Sequence, residues 1–184
     1  MKLSNLLIIF SLFSFVVACG GGESDTSQAS QSQADDDVRT INIIGTDAMK
    51  FAVEEPAEGI TVGDTTGSNN DLLLLETIEA VPGEEIRIRL TTRSQLPASA
   101  MAHNWVLLTQ EADATAYARK AVQARDQEYL PPDLSDQVLE YTGLAAGGET
   151  TEVTFTAPTE PGEYEYICSF PGHYAAGMKG FLVV

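Results

Sequence analysis

Short segments rich in β-branched and aromatic residues recur along the chain, separated by turn-forming pairs. In residues 86–92, IRIRLTT, aliphatic side chains alternate with arginines, which is typical of a strand with one face in a core and the other in water. Pro-Gly and Gly-Gly pairs mark the turns. This pattern predicts an all-β sandwich or barrel. We expect its other strands at residues 40–45, 104–108, 151–156, 162–168 and 180–184.

One segment departs from the β pattern. Residues 111–128 are rich in alanine, with acidic side chains early and basic side chains late, a charge order that suits the helix dipole. We expect one α-helix on the outside of the β domain, closed by the prolines at 131–132. The four leucines at 72–75 fit either a strand or a short helix, and residues 54–70 are expected to form a surface excursion.

The N-terminus has the features of an export signal. A lysine near the start precedes the mostly apolar residues 6–17, a stretch shorter than the roughly 20 residues that span a bilayer. Small residues then precede Cys19, as in the bacterial lipobox. We expect residues 1–18 to be a lipoprotein signal peptide, with an ordinary secretory signal as the alternative.

The rest of the N-terminal region follows from that interpretation. We expect Cys19 to be lipidated and residues 19–39 to form a flexible acidic tether, because they have few apolar side chains to bury. The folded domain then covers residues 40–184. The protein is expected on the extracytoplasmic or periplasmic side of the cell envelope, anchored to a membrane by lipid.

The balance of charged residues excludes one class of partner. The 184 residues include 27 Asp and Glu against 10 Lys and Arg, a formal net charge of −17. An acidic chain without a basic cluster repels phosphate backbones, so neither DNA nor RNA is expected as a partner.

The rarest residue types gather in one short stretch near the C-terminus. Four residues separate Cys168 from His173, and four more separate His173 from Met178. The chain's other histidine, His103, opens the strand expected at 104–108. These side chains offer a thiolate, two imidazoles and a thioether, the combination found in blue-copper sites. Zinc is the rival metal, since it accepts Cys and His, but it rarely takes a thioether.

Two stretches around these residues resemble the cupredoxins, most closely the azurin and auracyanin branch. They are MAHNWVL at 101–107 and YICSFPGHYAAGMKG at 166–180, and the second is especially similar to auracyanin. The resemblance implies a Greek-key β-sandwich with one inserted helix and one mononuclear type 1 copper. It implies that the equatorial ligands are His103, Cys168 and His173 and that the axial ligand is Met178.

The resemblance also implies two supporting residues. Azurin-like sites place a backbone carbonyl opposite the methionine, and here that weak axial carbonyl would come from Ala102, where azurin has glycine. Asn104 matches a residue that ties the two ligand loops together, a contact that orients metal ligands.

A mononuclear copper whose ligand positions are all filled favours electron transfer over catalysis. The resemblance implies redox protein partners, namely a membrane quinol-oxidising complex and either a terminal oxidase or a photosynthetic reaction centre. We expect a monomer that docks weakly through a small patch around His173, for which ordinary loop packing is the alternative. The patch comprises Pro171, Ala175, Ala176, Leu96 and Pro97.

Two other functions stay open at this point. One is a copper carrier without a redox role. The other is a thiol hydrolase with Cys168 as nucleophile and His173 or His103 as base, although no orienting third residue or oxyanion motif is evident. A copper nitrite reductase is disfavoured because no histidines are left for a second metal centre.

Overall fold

The computed structural model describes residues 38–65 and 71–184. The expected signal peptide at 1–18, Cys19 and nearly all of the expected tether lie outside the described residues. The described strands are β1 Arg39–Thr46, β2 Phe51–Val53, β3 Ile60–Thr65, β4 Leu73–Glu79, β5 Glu85–Arg93, β6 Ala102–His103, β7 Val106–Leu108, β8 Val138–Tyr141, β9 Ala145–Ala146, β10 Thr150–Thr156, β11 Glu163–Ile167 and β12 Lys179–Val183.

Most of these strands join one nearly closed sheet. Its order is β10-β5-β1-β2-β4-β12-β11-β7-β8, and β3 adds to β4. Strand β1 runs parallel to β5, and β12 runs parallel to β4, whereas the other pairs are antiparallel. Strands β6 and β9 form a separate short pair. This architecture confirms the predicted Greek-key β-sandwich with one inserted helix.

The alternation in β5 has the predicted consequence. Ile86, Ile88 and Leu90 are fully buried, while Arg89 lies on the exposed face and pairs there with Glu152 of β10. The aliphatic side chains therefore supply one wall of the core, and the arginines keep the other face of the sheet in water.

The expected surface excursion at residues 54–70 contains a strand that the sequence pattern did not indicate. Strand β3 pairs antiparallel with β4, and the register shifts twice along the pair. Of the leucines at 72–75, the last three lie in β4 and Leu72 directly precedes it, so the run is strand and not helix. Strand β3 contains Gly63 and Asp64, residues of low strand propensity. Its conformation therefore depends on pairing with β4.

The inserted helix is shorter than expected. Helix α1 spans Ala114–Ala121, and the Asp113 side chain caps it by accepting a hydrogen bond from the Ala116 N–H. The rest of the expected segment forms turns and a 3-10 helix. Glu128 and Tyr129 both have positive φ, a conformation that ends helical structure before the prolines do.

The core of the sandwich extends into the loop between β11 and β12. Trp105 is fully buried, and its ring centroid lies 5.5 Å from that of Tyr166 and 5.7 Å from that of Phe155. Cys168 and Met178 belong to the same cluster of buried residues. Within residues 38–65 and 71–184, no helix has the length and apolar character needed to cross a membrane.

Candidate metal centre

The loop between β11 and β12 positions three of the predicted site residues. Cys168 directly follows β11, and Met178 directly precedes β12. The Cys168 N–H donates to the Met178 carbonyl at 3.1 Å, and the Met178 N–H donates to the His173 carbonyl at 2.9 Å. These bonds fold the loop back on itself, so residues ten positions apart in sequence become direct neighbours.

Two glycines permit this tight path. Gly172 and Gly177 have φ of +87° and +89°, a region that side chains with a Cβ rarely occupy. They flank the single turn that carries His173. The positive φ angles of the loop therefore explain why glycines stand between the predicted ligands in the sequence.

His103 reaches the site from the separate β6–β9 strand pair. It was expected to open a strand at 104–108, but it lies in β6, which pairs with β9, and β7 begins only at Val106. Its imidazole packs directly on the backbone of β1, because a Cβ on Gly45 would lie only 2.5 Å from His103 Cδ2. Glycine at position 45 is thus required for this approach.

The donor atoms of the three residues converge. The Nδ1 atoms of His103 and His173 are 3.1 Å apart, and Cys168 Sγ lies 3.9 Å and 3.4 Å from them, respectively. Within residues 38–65 and 71–184, no other group of His, Cys, Asp or Glu side chains presents three potential ligand atoms so close together.

This triangle fits a metal ion. A point equidistant from the three atoms lies about 2 Å from each, which is the range in which imidazole nitrogen binds transition metals. All three residues are buried, and both histidines of the chain are used. No carboxylate of the described residues joins the group. The donor set therefore lacks the fourth Cys, His or carboxylate that a structural zinc site takes.

Burial controls the protonation of the donors. It lowers the pKa of His103 to about 3, with the facing His173 adding to the effect, and it lowers the pKa of His173 to about 4. Burial also raises the pKa of the Cys168 thiol to about 12, although the backbone N–H groups of Asn104 and Phe170 oppose this shift. Both imidazoles are therefore neutral at pH 7 and free to bind a metal, whereas the thiol needs a metal to become a thiolate.

These shifts predict that the copper-free protein loses stability as the pH falls below 7. The unfolded chain protonates its histidines near pH 6.5, whereas the folded chain resists protonation down to about pH 4. The free energy of unfolding should therefore fall by about 2 kcal/mol per histidine between pH 7 and pH 5. Denaturant titrations across this range measure the effect.

His103→Gln provides the control for this prediction, because it removes one of the two titrating groups. The variant should show roughly half of the wild-type pH dependence. Equal slopes in the wild type and the variant would contradict a role for the buried neutral imidazoles.

Asn104 links the two segments that carry the predicted ligands. Its Oδ1 accepts from the Ser169 N–H at 2.9 Å, and its Nδ2 donates to Ser169 Oγ at 2.8 Å and to the Glu128 carbonyl at 3.3 Å. Asn104 and Ser169 are the residues that follow His103 and Cys168. The network therefore fixes the spacing between the two ligand-bearing segments.

Aromatic rings pack against the His173 ring, an arrangement that no sequence motif indicated. The Phe170 ring lies 4.7 Å from the His173 ring, and Tyr129 packs edge-on against Phe170 at 5.0 Å. Tyr129 occupies a left-handed conformation at the end of the segment that follows α1. That segment is thereby connected to the ligand loop.

Ala102 and Met178 lie where the resemblance places them along the chain. Both are fully buried. Ala102 pairs with Ala146 beside His103, and Met178 is bonded through its main chain to Cys168 and His173. Their axial roles stay predictions.

Comparison with known proteins agrees with this geometry. Residues 43–184 match the plastocyanin/azurin family of copper-binding proteins. This chain belongs to that family. The cofactor of the site is therefore copper, in agreement with the donor set.

Individual relatives place the chain near the auracyanins and azurins. It is 35% identical to auracyanin-B of Chloroflexus aurantiacus over 133 residues, which cover 71% of this chain and 54% of that protein. The chain thus matches about half of the length of auracyanin-B. It is 39% identical to the azurin of Bordetella pertussis over 146 residues, which cover 78% of this chain and 81% of that protein.

A solved structure shows the same fold. Auracyanin A, described as a "blue" copper protein from the green thermophilic photosynthetic bacterium Chloroflexus aurantiacus, superimposes with a TM-score of 0.59 at 32% identity. The superposition covers 79% of this chain and 97% of that chain. The predicted resemblance to the azurin and auracyanin branch of the cupredoxins is confirmed.

Proposed function

We propose that this chain is a type 1 copper electron carrier. The observation that supports this most strongly is the convergence of two imidazole nitrogens and one sulfur within 3.9 Å of one another in a buried site. Copper bound there would supply one-electron redox chemistry between Cu(I) and Cu(II). His103, Cys168 and His173 would hold it, with Met178 and the Ala102 carbonyl as axial donors.

The residues around the donors suit electron transfer because they resist movement. The ligand loop is cross-bonded between Cys168, His173 and Met178, and Asn104 joins it to the segment that carries His103. A donor set held in one arrangement changes little between the two oxidation states of the metal, so less reorganisation accompanies each transfer.

A partner would approach at the side of His173, which is 2% exposed. Of the apolar residues expected to surround it, Pro171 and Ala176 are half-buried, and Ala175, Leu96 and Pro97 are exposed. We propose this small apolar rim as a weak docking surface for redox proteins, with the chain acting as a monomer. The partners would be a membrane quinol-oxidising complex and a terminal oxidase or photosynthetic reaction centre.

The protonation of Cys168 argues against a thiol hydrolase. The sulfur is fully buried, and its pKa of about 12 keeps it protonated near neutral pH. A nucleophilic cysteine requires the opposite shift and access to substrate. We therefore propose that the chain is not an enzyme.

A redox titration tests the proposed function. The oxidised copper-loaded protein should be blue because of its copper–thiolate bond. It should take up one electron per chain, lose this colour, and regain it on reoxidation with the copper retained. Release of copper on reduction would instead indicate a carrier that delivers the metal. Uptake of the electron without any change of colour would contradict a copper–thiolate centre.

Met178 provides a test of the axial position. The thioether donates more to Cu(II) than to Cu(I), so Met178→Leu should keep the blue colour and raise the reduction potential, and Met178→Gln should lower it by offering a harder oxygen. Voltammetry of both variants measures the effect. If Met178 only fills the core, the two variants will differ in stability but share one potential.

We also propose that the mature chain is lipid-anchored at Cys19 on the extracytoplasmic side of the cell envelope. The support comes from the sequence at residues 6–19. In cells that make the full chain, the wild type should be found in the membrane fraction, and Cys19→Ser should not be anchored. Wild-type protein that is wholly soluble with an unmodified N-terminus would refute the anchor.

A further inference from the structure

Lys50 lies in a third segment that meets the metal centre. It follows the turn between β1 and β2, where the Met49 N–H donates to the Thr46 carbonyl and the Thr46 N–H donates to the Lys50 carbonyl. The Lys50 N–H also donates to Thr46 Oγ1. Thr46 is fully buried. The backbone of Lys50 is therefore fixed by a closed turn on a buried residue.

The Lys50 side chain reaches the ligand loop. Its Nζ donates to the carbonyl of Ala176, 126 residues away in sequence, and the bond is partly buried. A Cβ on Gly177 would lie 2.7 Å from the same Nζ. The ammonium group therefore packs against the loop between His173 and Met178.

The same turn continues from the strand that supports His103. Gly45, next to Thr46, lies directly under the His103 imidazole. Lys50 thus joins the strand behind one predicted ligand to the loop that carries the three others. Neither ligand motif in the sequence includes this residue.

The partner of the Lys50 ammonium also differs in kind from the partners of the other described lysines. Lys120 pairs with Asp133, and Lys179 pairs with Glu165. In the part of the chain that the structure describes, Lys50 forms no ion pair, and its ammonium is bonded to a neutral carbonyl. A partly buried, unneutralised positive charge disfavours an increase in positive charge nearby.

We propose that Lys50 is a positioning residue of the metal centre that holds the 172–177 turn and raises the reduction potential of the bound copper. The effect on the reduction potential rests on the proposed electron-transfer function. The positioning role concerns the folded chain with or without metal.

The test compares Lys50→Met with wild type by two measurements. In the copper-free protein, amide hydrogen exchange at Ala176, Gly177 and Met178 should become about tenfold faster, because the charged donor no longer holds the turn. In the copper-loaded protein, the Cu(II)/Cu(I) ratio at fixed potential should rise about tenfold, which corresponds to a potential lower by about 59 mV for one electron.

Two further variants make the result specific. Lys50→Arg keeps the charge and a donor and should restore both measurements towards wild type. Lys120→Met changes the net charge by the same amount on an exposed surface and should alter neither. If Lys50→Met does not fold, Lys50→Gln gives the same two measurements with a neutral side chain.

The outcomes separate the two proposals. Wild-type exchange in Lys50→Met would overturn the positioning role, and a potential equal to that of Lys120→Met would overturn the electrostatic role. A wild-type protein that never becomes blue with copper would remove the proposed function, while the exchange measurement on copper-free protein would still decide whether Lys50 holds the turn.

Discussion

Replacing Cys168 with alanine should abolish the visible colour of the copper-loaded protein completely. The blue colour of such centres comes from overlap between a thiolate sulfur and Cu(II). Cys168 is the one cysteine among the described residues, and its sulfur lies within 3.9 Å of both imidazole nitrogens. Absorption spectra of variant and wild type at equal copper content measure the effect.

The chain contains a matched control for this experiment. It has two cysteines, and Cys19→Ser removes the other one, which is not among the predicted metal ligands. That variant should keep the full colour in soluble protein. Colour that survives in Cys168→Ala, or is lost in Cys19→Ser, would contradict the assignment of the thiolate.

Asn104→Ala should destabilise the fold by about 3 kcal/mol, because it leaves buried hydrogen-bonding groups without partners. The substitution removes the three hydrogen bonds between Asn104 and Ser169 and the bond to the Glu128 carbonyl. Since these bonds connect the segments that carry His103 and Cys168, copper should also dissociate faster. Denaturant unfolding and transfer of copper to a chelator measure the two effects.

Asn42→Ala is the control for the loss of an asparagine. Asn42 is exposed in β1, so its replacement should change stability by no more than about 0.5 kcal/mol. An Asn104→Ala variant that is as stable as Asn42→Ala, with unchanged copper release, would show that the network does not support the site.

The amino-acid pattern is sufficient to predict the strands whose two faces differ. In β5 the alternation of isoleucine and arginine follows the pleat, so the residue pattern alone assigns the buried and exposed faces. Three of the predicted site residues could be named from the sequence for a related reason. They lie within one turn-rich segment, and backbone hydrogen bonds within that loop bring them close together.

Strand β3 shows where prediction from the amino-acid pattern stops. Its residues include Gly63 and Asp64, which disfavour strands, and its pairing with β4 is irregular. The strand exists because a neighbouring edge offers hydrogen bonds. Helix α1 shows the reverse case, since an alanine-rich segment ends early where the chain turns to place Tyr129 against Phe170.

No local sequence pattern indicated the contacts between distant segments. Lys50 and Ala176 are 126 residues apart, and nothing in the TDAMK sequence around Lys50 indicates a bond to the ligand loop. The position of His103 relative to Gly45 is of the same kind. Such contacts depend on the packing of whole strands, so they become visible only in the folded chain.

Voltammetry of the copper-loaded wild-type protein tests the central claim most directly. A centre held by His103, Cys168, His173 and Met178 should give one reversible one-electron wave, with blue colour in the oxidised form and none in the reduced form, over repeated cycles at constant copper content. An irreversible wave, or a copper-loaded oxidised protein that stays colourless, would contradict the assignment of this chain as a type 1 copper electron carrier.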